Sequence, residues 1–146
     1  MKPILHYTTD TGWIGDPNGL VFHDSIYHMF YQLEPMSNNW SSNMHWGHAT
    51  STDLVYWTTQ NIALYPDQNG NCWSGSAVID TQNTVGYGQN TMICVYTSAG
   101  DKLTQSMAYS KDLSIFEKNE NNPIIPNIAS NNRDPKIFWH NDLVGG

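Results

Sequence analysis

The sequence predicts an all-β protein built from repeated units of about four strands. Short runs rich in aromatic and β-branched residues alternate with clusters of Gly, Asn, Asp and Pro about every ten residues, and almost no segment has a helical period. Residues 49–57 also recur as residues 108–116, with a 59-residue offset that matches Ser, Asp, Leu and aromatic positions. A unit of that length has the size of a β-propeller blade with long loops.

The predicted strands fall into two complete units and the start of a third. They are the apolar runs between turn-forming clusters: 20–22, 26–32, 44–51, 73–79, 92–97, 103–110 and 136–140. The units cover residues 13–60 and 72–120, and the third begins near residue 134. Because a propeller needs further blades to cover its sheet edges, we expect residues 1–146 to be the N-terminal part of a larger domain. A small, complete β-domain is the alternative.

Two Asp-Pro pairs lie two repeat units apart, at Asp16-Pro17 and Asp134-Pro135. Equivalent positions of radial repeats meet in space, so we expect both carboxylates in one cleft, as glycosidic bond cleavage requires. A proline restricts the residue before it to extended geometry, which predicts each Asp at the start of an inner strand. Arg133 favours the ionised form of Asp134, which suits charge stabilisation rather than proton donation.

Composition and charge exclude several classes of function. The formal net charge is −7 with only six Lys and Arg, so we expect no nucleic-acid partner. No apolar run approaches the ~18 residues of a membrane span.

His45 and His48 would lie on opposite faces of a strand, so neither a metal site nor a cofactor is predicted. Residues 1–7 contain no signal-peptide core, which predicts a cytoplasmic protein, or an extracellular one whose signal was removed.

Aromatic residues are abundant, with six Trp and eight Tyr. For most of them, filling the core is as good an explanation as a binding site. Trp40, Trp46 and Trp73 have polar neighbours, a combination that suits a sugar, because sugars present flat apolar faces with hydroxyl rims.

Five motifs in the correct order resemble glycoside hydrolase family 32, which contains invertases, inulinases and levanases. The stretch WIGDPNG at residues 13–19 is similar to the family's W-x-N-D-P-N-G signature, and YHMFYQ at 27–32 to its following strand. Residues 44–57 resemble W-G-H-A-x-S-x-D-L-x-x-W. WSGS at 73–76 and RDP at 133–135 resemble two further elements of the family.

The resemblance implies a five-bladed β-propeller that cleaves β-fructofuranosyl linkages of sucrose or β-fructans with retention of configuration. It implies that Asp16 is the nucleophile and that Asp134 stabilises the transition state and holds fructose hydroxyls. It also implies a fructose subsite lined by five residues: Gln32, Trp40, Trp73, Ser74 and Arg133.

The chain departs from the family pattern at three points. Gly15 replaces the Asn that usually precedes the nucleophile, which we interpret as tuning for substrate, and Glu34 stands where Asn is frequent. The acid/base Glu of an E-C motif is missing, since none of Glu34, Glu117 and Glu120 precedes a Cys. We therefore expect this 146-residue chain alone to be inactive or weakly active.

A truncated or degenerate, non-catalytic carbohydrate-binding propeller is the alternative. A five-bladed family acting on arabinose polymers is a third reading, disfavoured by the WSGS and NG elements.

Overall fold

A computed structural model describes residues 6–140, so part of the segment without a signal-peptide core, residues 1–5, lies outside it. The described residues form two four-stranded antiparallel sheets and no helix, and therefore no helix that would cross a membrane. The first sheet contains β1 (Trp13–His23), β2 (Ile26–Glu34), β3 (His45–Ser51) and β4 (Thr58–Thr59). The second contains β5 (Asn71–Asp80), β6 (Thr91–Ala99), β7 (Leu103–Ser110) and β8 (Glu117–Lys118). Both sheets follow the chain order, which confirms the predicted all-β, blade-like architecture.

The core lies between the two sheets, where β1 packs against β5. Trp46 of β3 is fully buried there, and its Nε1 donates a hydrogen bond to the carbonyl oxygen of Trp73 at 2.9 Å. Gly19 has a φ of +50°, and a Cβ there would lie 2.8 Å from the Phe30 ring of the first sheet and 3.2 Å from the Cβ of Ala77 in the second. A glycine is therefore needed at this position for the first sheet to approach the second.

Backbone contacts fix the start of β5 beside the start of β3. The Cys72 N–H donates to the Met44 carbonyl at 3.0 Å, and the Met44 N–H donates to Asn71 Oδ1 at 3.0 Å. Because these bonds join the ends of the two sheets, side chains from both converge at that end.

The predicted strand at residues 136–140 is not a strand in the structure. This segment runs beside β5, but the hydrogen bonds that join the two involve side chains rather than two backbones. The Ser76 hydroxyl donates to the Pro135 carbonyl and accepts from the Ile137 N–H, both at 2.8 Å. The Trp139 indole donates to the Ile79 carbonyl at 2.8 Å. A strand ladder requires backbone partners on a neighbouring strand, and these bonds do not form one.

The sequence repeat appears in the structure as two matching turns. Asp53 Oδ1 accepts hydrogen bonds from the backbone N–H groups two and three residues further on, and Asp112 Oδ1 does the same. The residues after these carboxylates, Leu54 and Leu113, have φ values of +64° and +61°. The hydrogen bonds thus hold non-glycine residues in a left-handed conformation that they seldom adopt.

The turn carboxylate of Asp112 makes stability depend on acid pH. Backbone hydrogen bonds, first from Ile115 and then from Ser114, lower the pKa of Asp112 from 3.8 to about 2. A depressed pKa adds stability that is present above pH ~4 and is lost as the pH falls through about 2. We expect Asp112→Asn to lower the melting temperature by roughly 3 °C at pH 7, with the difference shrinking towards pH 2. Calorimetry across this range checks it.

Asp101→Asn is the control, because this residue is exposed in the turn between β6 and β7. It should leave the melting temperature nearly unchanged. An Asp112→Asn deficit that is equally large at pH 7 and pH 2 would contradict the assignment.

Candidate active site

A cavity of about 270 Å³ opens where the two sheets meet at the start of β1 and β5. Eight residues line it: Trp13, Asp16, Gln32, Trp40, Trp73, Ser74, Arg133 and Asp134. The structure thus brings together all seven residues that the sequence assigned to a site, and adds Trp13. They come from both sheets, from the loop after β2 and from the segment after β8.

Each inner strand has a β-bulge at the cavity. In β1, Ile14 pairs with Leu33 and Pro17 with Tyr31, so that two residues, Gly15 and Asp16, stand opposite one. A bulge bends the strand and re-aims its side chains, and bulges are frequent beside active sites. The bulge therefore turns Asp16 towards the cavity.

The bulge in β5 presents Trp73 and Ser74. Cys72 pairs with Ser98 and Gly75 with Tyr96, which leaves these two residues opposite Thr97. The Ser74 hydroxyl donates to Asp16 Oδ2 at 3.0 Å, a bond between the two sheets. This bond orients the carboxylate of Asp16 relative to the second sheet.

Gln32 and Trp46 hold the second bulge from the first sheet. Gln32 is only 6% exposed, and its Nε2 donates to the Cys72 carbonyl at 3.0 Å. The Trp46 indole bonds the next carbonyl, that of Trp73. Two adjacent peptide groups of β5 are thus fixed by side chains of the first sheet, which sets the position of the Trp73 side chain in the cavity.

Asp134 has a conformation that differs from the prediction. The proline after it predicted extended geometry, but its φ is +59°, in the left-handed region. Its N–H donates to Thr97 Oγ1 at 2.9 Å, and Thr97 in turn donates to Gln105 Oε1 at 2.9 Å. Asp tolerates this region better than most residues, and the tertiary hydrogen bond outweighs the local preference. Arg133 Nε lies 3.4 Å from Asp134 Oδ2, and both side chains are about half exposed.

Gly15 allows Trp13 to line the cavity. A Cβ at position 15 would lie 2.8 Å from Cζ3 of Trp13, so the indole ring occupies the space that a side chain would need. The sequence indicated Gly15 as a departure but did not identify Trp13. The signal was present, because residues 13 and 15 alternate onto one face of a strand.

Several titratable residues lie outside the cavity. His28 Nδ1 and His48 Nε2 lie 3.0 Å apart inside the first sheet, and burial lowers both pKa values, that of His48 to about 3. Glu117 accepts a hydrogen bond from the Tyr109 hydroxyl on the surface, and Glu120 is exposed. Among the described residues, the carboxylates lining this cavity are therefore Asp16 and Asp134.

Comparisons with known sequences identify one family. The sequence model of the family "Glycosyl hydrolases family 32 N-terminal domain" matches residues 6–144. The chain is 43% identical over 145 residues to the levanase of Bacillus subtilis (strain 168), which covers 95% of the chain and 21% of the levanase. It is 39% identical over 150 residues to an invertase of Schwanniomyces occidentalis, covering 95% of the chain and 28% of the invertase.

Solved structures agree with the sequence comparison. The beta-fructofuranosidase of Schwanniomyces occidentalis, complexed with fructosyl-erythritol, superposes with a TM-score of 0.87 at 39% identity over 95% of this chain and 29% of that one. The exo-inulinase of Aspergillus awamori gives 0.84 at 33% identity, over 94% of this chain and 32% of that one. The chain thus spans about a fifth to a third of the length of these relatives.

The first site prediction concerns Gly15. Adding a Cβ in Gly15→Ala should push the Trp13 indole away from β1, because the ring has no room to remain in place. Proton NMR measures this as loss of the close contacts between the Trp13 ring and the α-protons of residue 15. An unchanged contact pattern would show that the glycine has no role in placing the ring.

The second site prediction concerns Thr97. Thr97→Val keeps the side-chain shape but removes the acceptor of the Asp134 N–H. We expect the Asp134 amide to exchange with solvent roughly tenfold faster, the effect of losing about one net hydrogen bond. Thr104→Val, in β7, is the matched control and should leave the Asp134 amide unchanged. Equal exchange in all three proteins would exclude Thr97 as the support of Asp134.

Proposed function

The chain belongs to glycosyl hydrolase family 32, and we propose that its cavity is the fructosyl-binding part of a retaining β-fructosidase site that acts on sucrose or a β-fructan. The convergence of Asp16 and Asp134 on one cavity, from positions two repeats apart, carries this proposal. The relatives support it, because they are a levanase, invertases and inulinases. Structures of the Schwanniomyces enzyme are described as complexes with fructose and fructosylnystose.

Asp16 is the nucleophile in this proposal. A retaining mechanism needs an ionised carboxylate that attacks the anomeric carbon and forms a covalent fructosyl-enzyme, which water then hydrolyses. The exposure of Asp16 and its hydrogen bond from Ser74 support this role, since they keep the carboxylate accessible and oriented.

Asp134 stabilises the positive charge that develops on the sugar ring in the transition state. Its rigid backbone, fixed through Thr97, supports this role, because electrostatic stabilisation requires a charge that is already in place. Arg133 partly offsets the charge of Asp134 and presents N–H donors to sugar hydroxyls.

Three tryptophans form the walls of the sugar subsite. Trp13, Trp40 and Trp73 line the cavity, and aromatic faces match the apolar faces of a sugar. Gln32 also lines the cavity and supplies a polar group. This combination of a few polar groups among aromatic walls supports binding of a single fructosyl unit.

A second candidate is a carbohydrate-binding propeller without catalysis. Cleavage of a glycosidic bond needs a proton donor for the leaving oxygen. None of the three glutamates lines the cavity among the described residues, and this observation favours the second candidate.

A substrate that needs no proton donor separates the two candidates. Fluoride leaves β-fructofuranosyl fluoride without protonation, so the fluoride released as the fructosyl-enzyme forms reports on Asp16 and Asp134 without an acid/base residue, although the later hydrolysis of that intermediate needs a base. We expect slow fluoride release from the unchanged chain, at least about 10³-fold less from Asp16→Asn, and about 10²-fold less kcat from Asp134→Asn with a smaller change in KM. A fluoride electrode measures all three.

The control is Asp101→Asn, which changes the same charge outside the cavity and should leave the rate unchanged. Turnover of the fluoride by Asp16→Asn at the parental rate would place the nucleophile elsewhere. Binding of fructose without any fluoride release would favour the non-catalytic candidate.

A further inference from the structure

Glu34 is a buried carboxylate outside the cavity, and its partners all lie in one loop. It is the last residue of β2 and is 1% exposed. Its Oε1 accepts from the Met36 N–H at 2.9 Å and from Asn43 Nδ2 at 3.1 Å, while its Oε2 accepts from the Ser41 hydroxyl. A buried carboxylate is stable only when it is satisfied in this way, so the loop is tied to it at three points.

The loop held by Glu34 carries Trp40 to the cavity. Trp40 is 56% exposed and lines the cavity, and Ser41 directly follows it in the chain. The bonds to Met36 and Asn43 lie on either side of this pair. Fixing Ser41 against the end of β2 therefore fixes the point from which the indole ring extends.

We propose that Glu34 is a positioning residue that holds Trp40 in place against the bound sugar and thereby sets the affinity of the site. The sugar in this inference rests on the proposed function, whereas the positioning of Trp40 does not. A mobile indole must be ordered when a ligand binds, and that ordering reduces affinity, while a fixed indole avoids this loss.

The choice of a carboxylate fits this role better than a shorter amide. All three partners act as donors, and a carboxylate accepts at both oxygens. The hydrogen bond from Ser41 is the main cause of the lowered pKa of Glu34, with those from Met36 and Asn43 adding to it against the effect of burial. The ionised form that fastens the loop is therefore the form that the loop stabilises.

Fluorine NMR of the chain labelled with 5-fluorotryptophan tests the positioning directly. We expect one resonance from each of the six Trp, and Trp40→Phe identifies that of Trp40. In Glu34→Ala, we expect the Trp40 resonance to shift and sharpen as the loop becomes mobile, while the other five remain in place. An unchanged Trp40 resonance overturns the proposal.

Asp80→Ala is the matched control. Asp80 is also 1% exposed and accepts hydrogen bonds from the backbone N–H groups of Thr84 and Val85, but it fastens the loop between β5 and β6. It should cost stability and leave the Trp40 resonance unchanged. A Trp40 shift of the same size in Asp80→Ala would mean that the effect is general destabilisation, and would overturn the proposal.

Titration with fructose measures the consequence for binding. We expect Glu34→Ala to weaken binding about tenfold, the effect of losing one well-placed aromatic contact. Glu34→Gln should be closer to the parent, because its carbonyl oxygen can accept from Met36 and Asn43 and its amide can donate to the reversed Ser41 hydroxyl. If Glu34→Ala binds fructose as tightly as the parent, Glu34 does not set affinity.

Failure of the proposed function and misfolding of Glu34→Ala can each be told apart from failure of the positioning proposal. If the parent chain shows no response to fructose, the proposed function fails, and the Trp40 resonance in Glu34→Ala still decides the positioning. If Glu34→Ala does not fold, Ser41→Ala takes its place, because it removes the bond next to Trp40. A Trp40 shift in Ser41→Ala supports the proposal, and an unchanged resonance overturns it.

Discussion

The cavity depends on one contact that the structure makes twice. In each sheet, the residue of the second strand that lies opposite the bulge makes a hydrogen bond to the backbone of the next unit along the chain. Gln32 donates to the carbonyl of Cys72, and Thr97 accepts from the N–H of Asp134. The bulge aims side chains into the cavity, and the residue opposite fixes the next segment beside it. The site is thus a product of the way in which successive units are joined.

These links place polar side chains where a sheet would otherwise be apolar. Thr97 and Gln105 are almost fully buried, and each is satisfied, since Gln105 also donates to the Asn132 carbonyl at 2.6 Å. A buried polar chain of this kind is favourable only when every member has a partner. The segment that carries Arg133 and Asp134 supplies these partners. The buried polar groups of the second sheet are therefore fully hydrogen-bonded only when this segment is packed against it. Without the segment, Gln105 Nε2 loses its acceptor and Thr97 Oγ1 loses one donor, while the bond between Thr97 and Gln105 remains.

Sequence reasoning located six of the eight described strands, because these leave periodic signals. The seven residues that it assigned to a site by motif line one cavity, and their roles stay predictions. It located β1 only at residues 20–22, since the bulge at Gly15 and Asp16 breaks the two-residue alternation by which strands are recognised. The left-handed conformation of Asp134 was missed for a different reason. The rule for residues before proline is local, whereas the bond to Thr97 comes from a residue 37 positions away. Strand 136–140 was predicted from composition, but a strand also requires backbone partners, which composition does not reveal.

Under the proposed function, the arrangement of charge explains why the site would favour a transition state over a bound substrate. Asp16 and Asp134 bring two negative charges to one cavity, and each has its own partner, Ser74 for the first and Arg133 for the second. Before a sugar binds, water screens their repulsion. A sugar that displaces this water removes the screening and strengthens every charge interaction in the site. A neutral sugar gains little from two carboxylates, whereas a ring that becomes positively charged is attracted by both. The same loss of water that strengthens the repulsion between the carboxylates in the ground state therefore stabilises the developing cation.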